Sequence, residues 1–213
     1  FYAWNARNQL VGITNATMTA SFKYDAIGRR IEKTINGKTL QYLYDGLDIV
    51  QEIENGMVSA NYIRTLNIDE PLAHIKSDGT VRYYQQDALG SVISLTDETG
   101  VVKTTYTYDP FGNVTVSGES SDNPFQFAGR ENDGTGLLYE RYRYYSLELQ
   151  RYISEDPIGL AGGDVNYYVR VGNNPVNRRD PMGLWYIDVN FSVGTPSFLG
   201  GTGGLVIDTE TGN

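Results

Sequence analysis

Two aspartates, Asp156 and Asp180, each open an Asp-Pro-x-Gly-Leu segment, and they stand 24 residues apart. Hydrolysis of a peptide bond needs one group to activate water and another to protonate the carbonyl oxygen or the leaving amine. Two close carboxyls can divide that work, because like charges at short range leave one protonated as acid and the other ionised as base. A dry setting pushes such a pair further in that direction. Asp164, in the loop Gly162-Gly163-Asp164-Val165-Asn166, is a candidate to replace either partner. Arg178 and Arg179 are candidates to orient or tune the carboxylates. The same segments also spell an ordinary turn, in which Asp accepts a backbone hydrogen bond, Pro presets φ and Gly takes positive φ. On residue chemistry alone the turn is the stronger reading.

Composition closes other routes. The 213 residues include no Cys and one His, which excludes thiol nucleophiles, disulfides and Cys- or His-rich metal sites. The single His74, in Leu72-Ala73-His74-Ile75, reads as an ordinary strand histidine. The net charge of -9, from 17 basic and 26 acidic side chains, argues against a nucleic-acid partner. No apolar run reaches the roughly 18 residues of a membrane span, and the first residues lack a signal-peptide pattern. Carboxylates, supported by Tyr, Lys or Arg, are left as the agents of any acid-base chemistry.

The elements that must position these groups are β-strands. Tyr, Val, Ile and Thr supply strand propensity, Gly and Asn supply turns, and no long stretch keeps a helical apolar period. Trp4-Asn5, Tyr24-Asp25 and Tyr44-Asp45 recur every 20 residues, and the series continues, degraded, through Arg64 and Gln86-Asp87 to Tyr108-Asp109. Gly28, Gly90 and Gly112 each follow their Asp by three positions. Asn36-Gly37, Asn55-Gly56, Asp78-Gly79 and Thr99-Gly100 read as two-residue hairpin turns between these markers. The pattern predicts an all-β chain of successive hairpins, each dependent on its neighbours for stability. The aspartates of the repeat read as turn scaffold.

Tyr24-Asp25-Ala26-Ile27-Gly28-Arg29 resembles the YD repeats of Rhs proteins, which also occur in the C components of Tc insecticidal toxins and in animal teneurins. A later stretch resembles the Rhs repeat-associated core. It runs from Phe127-Ala128-Gly129-Arg130 through Asp133-Gly134-Thr135-Gly136-Leu137-Leu138-Tyr139 and Arg143-Tyr144-Tyr145 to Arg151-Tyr152-Ile153-Ser154-Glu155-Asp156-Pro157-Ile158-Gly159-Leu160. It continues through Asn166-Tyr167-Tyr168 and Asn173-Asn174-Pro175 to Asp180-Pro181-Met182-Gly183-Leu184. The chain departs from that pattern at Ser146-Leu147, where Asp-Pro is usual, and at Gln150, where Gly is usual; both fall in an expected turn between strands. Glu155 stands where some self-cleaving members carry a basic residue.

The resemblance implies a hollow, spiralling shell of hairpins (residues 1–120), a core or plug that seals it (121–184) and the start of a variable effector (185–213). It implies cleavage between Leu184 and Trp185 by Asp156 and Asp180, with no cofactor and no metal. The implied partner is the chain's own C-terminal effector segment, with secretion machinery or cell-surface glycans as further partners, and the implied location is secreted or at a bacterial cell surface. Six repeats would build only part of a wall, so a longer parent protein is expected. The alternatives are an uncleaved adhesive surface protein and a shell whose Asp-Pro turns are inert. Past the expected cut, residues 185–193 alternate like a strand and Gly200-Gly201-Thr202-Gly203-Gly204 reads as a flexible link, not a phosphate cradle.

Overall fold

A computed structural model describes residues 1–189. Twelve strands form one antiparallel sheet in strict chain order. They are β1 (Tyr2–Trp4), β2 (Leu10–Thr14), β3 (Thr19–Tyr24), β4 (Arg30–Ile35), β5 (Lys38–Asp45) and β6 (Asp48–Glu54), then β7 (Met57–Arg64), β8 (Pro71–Lys76), β9 (Val81–Gln86), β10 (Val92–Thr96), β11 (Val102–Tyr108) and β12 (Val114–Gly118). The core segment adds a four-stranded sheet of β13 (Glu131–Asn132), β14 (Leu137–Glu140), β15 (Arg143–Ser146) and β16 (Arg151–Tyr152), and a final pair of β17 (Arg178–Arg179) and β18 (Ile187–Asp188). The only helices among the described residues are three short 3-10 turns.

The repeat has a physical basis at each position. Asp25, Asp87 and Asp109 each accept two backbone N–H groups through Oδ1, at 2.8–3.1 Å, and so hold the turn from one hairpin into the next. The following Gly28, Gly90 and Gly112 sit at φ of 95°, 83° and 95°, a region in which a Cβ is strained. Of the four hairpin dipeptides, Asn36-Gly37 and Asn55-Gly56 do have positive φ at both residues, as a two-residue turn requires. Asp78-Gly79 and Thr99-Gly100 do not. Only their glycines are at positive φ, because Asp78 and Asp97 draw the chain into longer turns by accepting backbone N–H bonds from Thr80 and from Thr99 and Val101.

The tyrosine of each marker is itself a donor. Tyr24, Tyr44 and Tyr108 hydroxyls bond the carbonyls of Leu10, Arg30 and Val92 at 2.7–2.8 Å. At the degraded positions the Arg64 guanidinium bonds the Ile49 carbonyl (2.9 Å), and the Gln86 amide bonds those of Gly90 (2.8 Å) and Asp69 (3.3 Å). Tyr, Arg and Gln thus all supply a side-chain donor at this position of the repeat. Two residues before Tyr24, Tyr44, Arg64, Gln86 and Tyr108 stand Phe22, Tyr42, Tyr62, Tyr84 and Tyr106, all buried on one face of the sheet because positions i and i+2 share a face.

The core segment packs on that face. Phe125 sits edge-on to Tyr62, with ring centroids 5.1 Å apart, and joins the cluster of Tyr42, Tyr62, Tyr84 and Tyr106. Tyr139 and Tyr144 pack with Leu10, Ile13 and Phe22. His74 lies in β8, buried, with Nδ1 3.0 Å from the Tyr84 hydroxyl; burial pushes its pKa down to about 4, so it is neutral near pH 7. Most tyrosines are thus core residues, and Tyr2, Tyr83, Tyr142 and Tyr168 are those with large exposed area. At the turn between β15 and β16, Gln150 occupies φ 55°, the left-handed backbone that the usual glycine adopts without strain.

Candidate cleavage site

The core sheet carries the centre of the site. Glu140 and Arg143 face each other across the two-residue turn of β14 and β15, and Tyr152 lies beside them on β16. All three are buried. Asp156 follows β16 and Asp180 follows β17, so the two Asp-Pro segments reach this sheet from opposite sides of the intervening loop.

Arg143 stands between the two aspartates. Its Nη2 is 3.0 Å from Asp156 Oδ2 and 3.6 Å from Asp180 Oδ2. Its Nη1 donates to the Tyr167 carbonyl (3.0 Å), its Nε to the Gly183 carbonyl, and the guanidinium lies 3.7 Å from the centre of the Tyr152 ring. Five partners fix one cation, which a planar fork can satisfy and a point charge cannot.

Asp180 grips the segment that ends at Leu184. Its Oδ1 accepts the N–H groups of Met182 (3.2 Å), Gly183 (2.7 Å) and Leu184 (3.0 Å). Burial, and then the nearby Glu140 carboxylate, push the Asp180 carboxyl above the usual range, against the pull of the Tyr152 hydroxyl, the Leu184 N–H and Arg143. Asp156 lies near the carbonyl of the same residue, Leu184. A Cβ built on Gly162 would lie 2.6 Å from Asp156 Oδ2 and 3.2 Å from the Leu184 carbonyl oxygen, so the carboxylate and the carbonyl converge on the bare face of that glycine. Gly183 is equally close-packed: a Cβ there would lie 2.5 Å from the Glu140 carbonyl.

A cleft of about 320 Å³ collects Asp156, Asp180, Asp164, Arg143 and the Leu184-Trp185 pair. Asp164 is on its wall, but its Oδ1 caps the local turn by accepting the Asn166 N–H (2.8 Å). Glu155 lies outside the cleft; it is exposed and accepts the Tyr168 hydroxyl (3.1 Å). Arg178 pairs with Asp188 (2.6 Å) and stacks on Tyr186, and Arg179 is oriented toward Gly90 and Glu70. Neither is among the hydrogen-bond partners of Asp156 or Asp180 in the described residues. The guanidinium between the carboxylates is Arg143, which the sequence displays inside Arg143-Tyr144-Tyr145 but 13 residues from the nearer aspartate, with no local signal of its role. The Gly-rich link at 200–204 and the end of the strand-like stretch at 190–193 lie outside the described residues.

The site is tied to the repeat sheet. Arg130 and Arg141 both donate to the carbonyl of Pro181, next to Asp180, and both pair with Asp69 in the loop between β7 and β8. Arg141 also reaches Asp48 at the start of β6 (3.3 Å). The Asp180–Leu184 segment is therefore placed by hairpins more than a hundred residues earlier in the chain.

The teneurin YD-shell family matches residues 1–176. This chain belongs to that family. The chain is 36% identical over 197 residues to the tRNA nuclease WapA of Bacillus subtilis, covering 86% of this YD-shell chain and 8% of that protein. It is 31% identical over 219 residues to double-stranded DNA deaminase toxin A of Burkholderia cenocepacia, covering 86% of this chain and 15% of the toxin. The fold is that of a crystal structure of TcdB2-TccC3 (TM-score 0.69, 24% identity, 86% of this chain and 10% of that one). It is also that of a Photorhabdus luminescens Tc holotoxin pore (TM-score 0.71, 22% identity, 92% of this chain and 10% of that one). The YD-shell chain thus spans about a tenth of these relatives' length, and it has the antiparallel hairpin architecture of an Rhs-type shell protein.

Proposed function

We propose that this YD-shell segment encloses a C-terminal effector and cuts itself once, between Leu184 and Trp185, with Asp156 and Asp180 as the catalytic pair. The observation that carries this reading is the convergence on one residue: Asp180 holds the Leu184 N–H at 3.0 Å, while Asp156 Oδ2 and the Leu184 carbonyl oxygen both border the position that a Cβ on Gly162 would take. In the proposed reaction Asp156 takes a proton from water as the water oxygen adds to the Leu184 carbonyl carbon, and Asp180 gives its proton to the carbonyl oxygen. Collapse of the diol breaks the C–N bond. The Trp185 nitrogen takes the proton held on Asp156, Asp180 regains one from the diol, and Leu184 keeps a carboxyl group. One water is consumed and both aspartates return to their starting states.

Relatives that match the same stretch carry different activities in their names, a tRNA nuclease in one and a DNA deaminase toxin in another. One shell joined to different chemistries supports an effector that lies beyond the matched region. A relative named as a toxin supports placing the parent protein among secreted or cell-surface proteins.

Intact-mass measurement of the full chain is the test. The expected result is a break after Leu184 that disappears in Asp156→Asn and in Asp180→Asn; a folded full chain that stays whole would sink the reading. Gly162→Ala provides a second, steric test. Its backbone lies outside the left-handed region, so alanine should be accepted by the fold, but the new methyl must displace Asp156 or the Leu184 carbonyl. Cleavage followed by mass over time is expected to slow by about 10²-fold, the usual consequence of an ångström-scale misplacement. An unchanged rate would show that Asp156 and Leu184 do not meet there.

A further inference from the structure

The Tyr152 hydroxyl has one hydrogen and two carboxyl oxygens to satisfy. Its oxygen is 2.6 Å from Glu140 Oε2 and 2.8 Å from Asp180 Oδ2. Glu140, Tyr152 and Asp180 are respectively 0%, 1% and 3% exposed, so water does not supply the missing proton. If both carboxyls were ionised, one of these contacts would be a lone-pair repulsion between an anion and a hydroxyl oxygen in a dry site. The trio must therefore hold one proton beyond the tyrosine's own.

The surroundings decide where that proton sits. Glu140 Oε1 is paired with Arg170 Nε at 2.8 Å, and the Arg170 guanidinium lies between the rings of Tyr145 (5.0 Å) and Phe127 (5.2 Å) with no other hydrogen-bond partner among the described residues. That guanidinium requires Glu140 as its anion. Asp180 has a weaker claim on a cation: Arg143 is 3.6 Å away and closer to Asp156, while Arg130 and Arg141 donate to the neighbouring Pro181 carbonyl but pair with Asp69. We propose that Glu140 and Tyr152, braced by Arg170, are positioning residues that keep the proton on Asp180 Oδ2, which makes Asp180 the acid and Asp156 the base. In the resting site the order is Asp180 O–H to the Tyr152 oxygen and Tyr152 O–H to Glu140, and in the proposed reaction that Asp180 proton turns from Tyr152 to the Leu184 carbonyl oxygen as water adds. Burial of the Asp180 carboxyl and the Glu140 charge act in the same direction.

This inference rests on the cleavage reading for its purpose, but its proton count can be measured without any cleavage. The full chain is arrested by Trp185→Pro, which leaves Arg143, Asp156 and Asp180 in place, and its aspartates are carboxyl-labelled for isotope-edited infrared spectroscopy. At neutral pH a protonated aspartic carboxyl band is expected, removed by Asp180→Asn, lost or strongly reduced in Glu140→Gln, and shifted in Tyr152→Phe, which deletes only the bridging hydroxyl. In the cleaving chain, Glu140→Gln should move the alkaline limb of the cleavage rate to lower pH by about one unit or more, as loss of a close like charge requires. Should Glu140→Gln fail to fold because Arg170 is left unpaired, Glu140→Gln with Arg170→Met and the single Tyr152→Phe carry the test. Absence of the band, or a band and an alkaline limb that folded Glu140→Gln and Tyr152→Phe chains leave unmoved, overturns the proposal even if cleavage proceeds. A band that behaves as expected in a protein that never cuts would instead overturn the cleavage reading alone.

Discussion

Exchanging Arg143 for lysine should leave a folded chain that cuts itself about 10²-fold more slowly, and exchanging it for methionine should abolish the cut. The reason is the number of partners. The guanidinium bridges Asp156 at 3.0 Å and Asp180 at 3.6 Å, and donates to the carbonyls of Tyr167 and Gly183. Gly183 immediately precedes Leu184, so this one side chain ties together Asp156 and Asp180, the proposed base and acid, and the segment proposed to be cut. A lysine ammonium keeps the charge but has a single nitrogen, and it cannot reach a carboxylate and two separated carbonyls in one geometry. Methionine removes the charge as well and leaves two buried carboxyls without a cation. Time courses of the cut by mass, on chains shown to be folded by their melting curves, check the prediction. A lysine chain that cuts at the normal rate would mean that Arg143 contributes charge alone.

Arg30→Met should destabilise the chain by about 3–5 kcal/mol, the range for removing one partner of a buried ion pair. Arg30 is fully buried, and it joins the repeat sheet to the core. From β4 it reaches Glu131 Oε2 (2.5 Å) and Asp133, and it lies 4.2 Å from the centre of the Tyr139 ring. Lys33 adds a second contact to Asp133 (2.7 Å). Burial works against the Asp133 charge, but Arg30 and Lys33 outweigh it and hold its pKa below the ordinary 3.8, at about 2. A depressed carboxylate pKa stabilises the fold above the unfolded value and stops doing so as pH falls through the folded one. The stabilisation is therefore complete above about pH 4 and fades toward pH 2, and Arg30→Met should flatten that part of the profile. Urea midpoints of the full chain at several pH values measure both effects; a methionine chain with the same midpoint and slope at neutral pH would refute this expectation.

The degree to which the sequence could be read differs between scaffold and site. The Asp-x-x-Gly turns were legible because their hydrogen bonds are local: Asp25 caps Ile27 and Arg29, and the glycine three places on has the backbone freedom the turn requires. The buried face was half legible. Strand alternation places Tyr42 opposite to Leu43, but nothing local says that Phe125, more than eighty residues later, covers Tyr42's face. Reading Arg64 and Gln86 as decayed repeat positions missed that they still perform the tyrosine's task, since Arg64 donates to the Ile49 carbonyl on β6 and Gln86 to the Asp69 carbonyl in the loop before β8. Asp78-Gly79 and Thr99-Gly100 misled as two-residue turns because an aspartate within or just before the turn accepts the N–H groups that set its length.

By itself, then, the sequence determined the chemistry available and the scaffold: carboxylates rather than thiols or a histidine-rich metal site, hairpins of about 20 residues, and two Asp-Pro segments at the end of the family's core. Tertiary structure decided which groups meet. It put Arg143 rather than Arg178 or Arg179 between Asp156 and Asp180, moved Glu155 out of the cleft, and set Tyr152 between Glu140 and Asp180. The reason is range. A turn or a strand face is fixed by neighbours two to four residues away, whereas a carboxyl's partner and its burial are fixed by packing between segments that are distant in the chain.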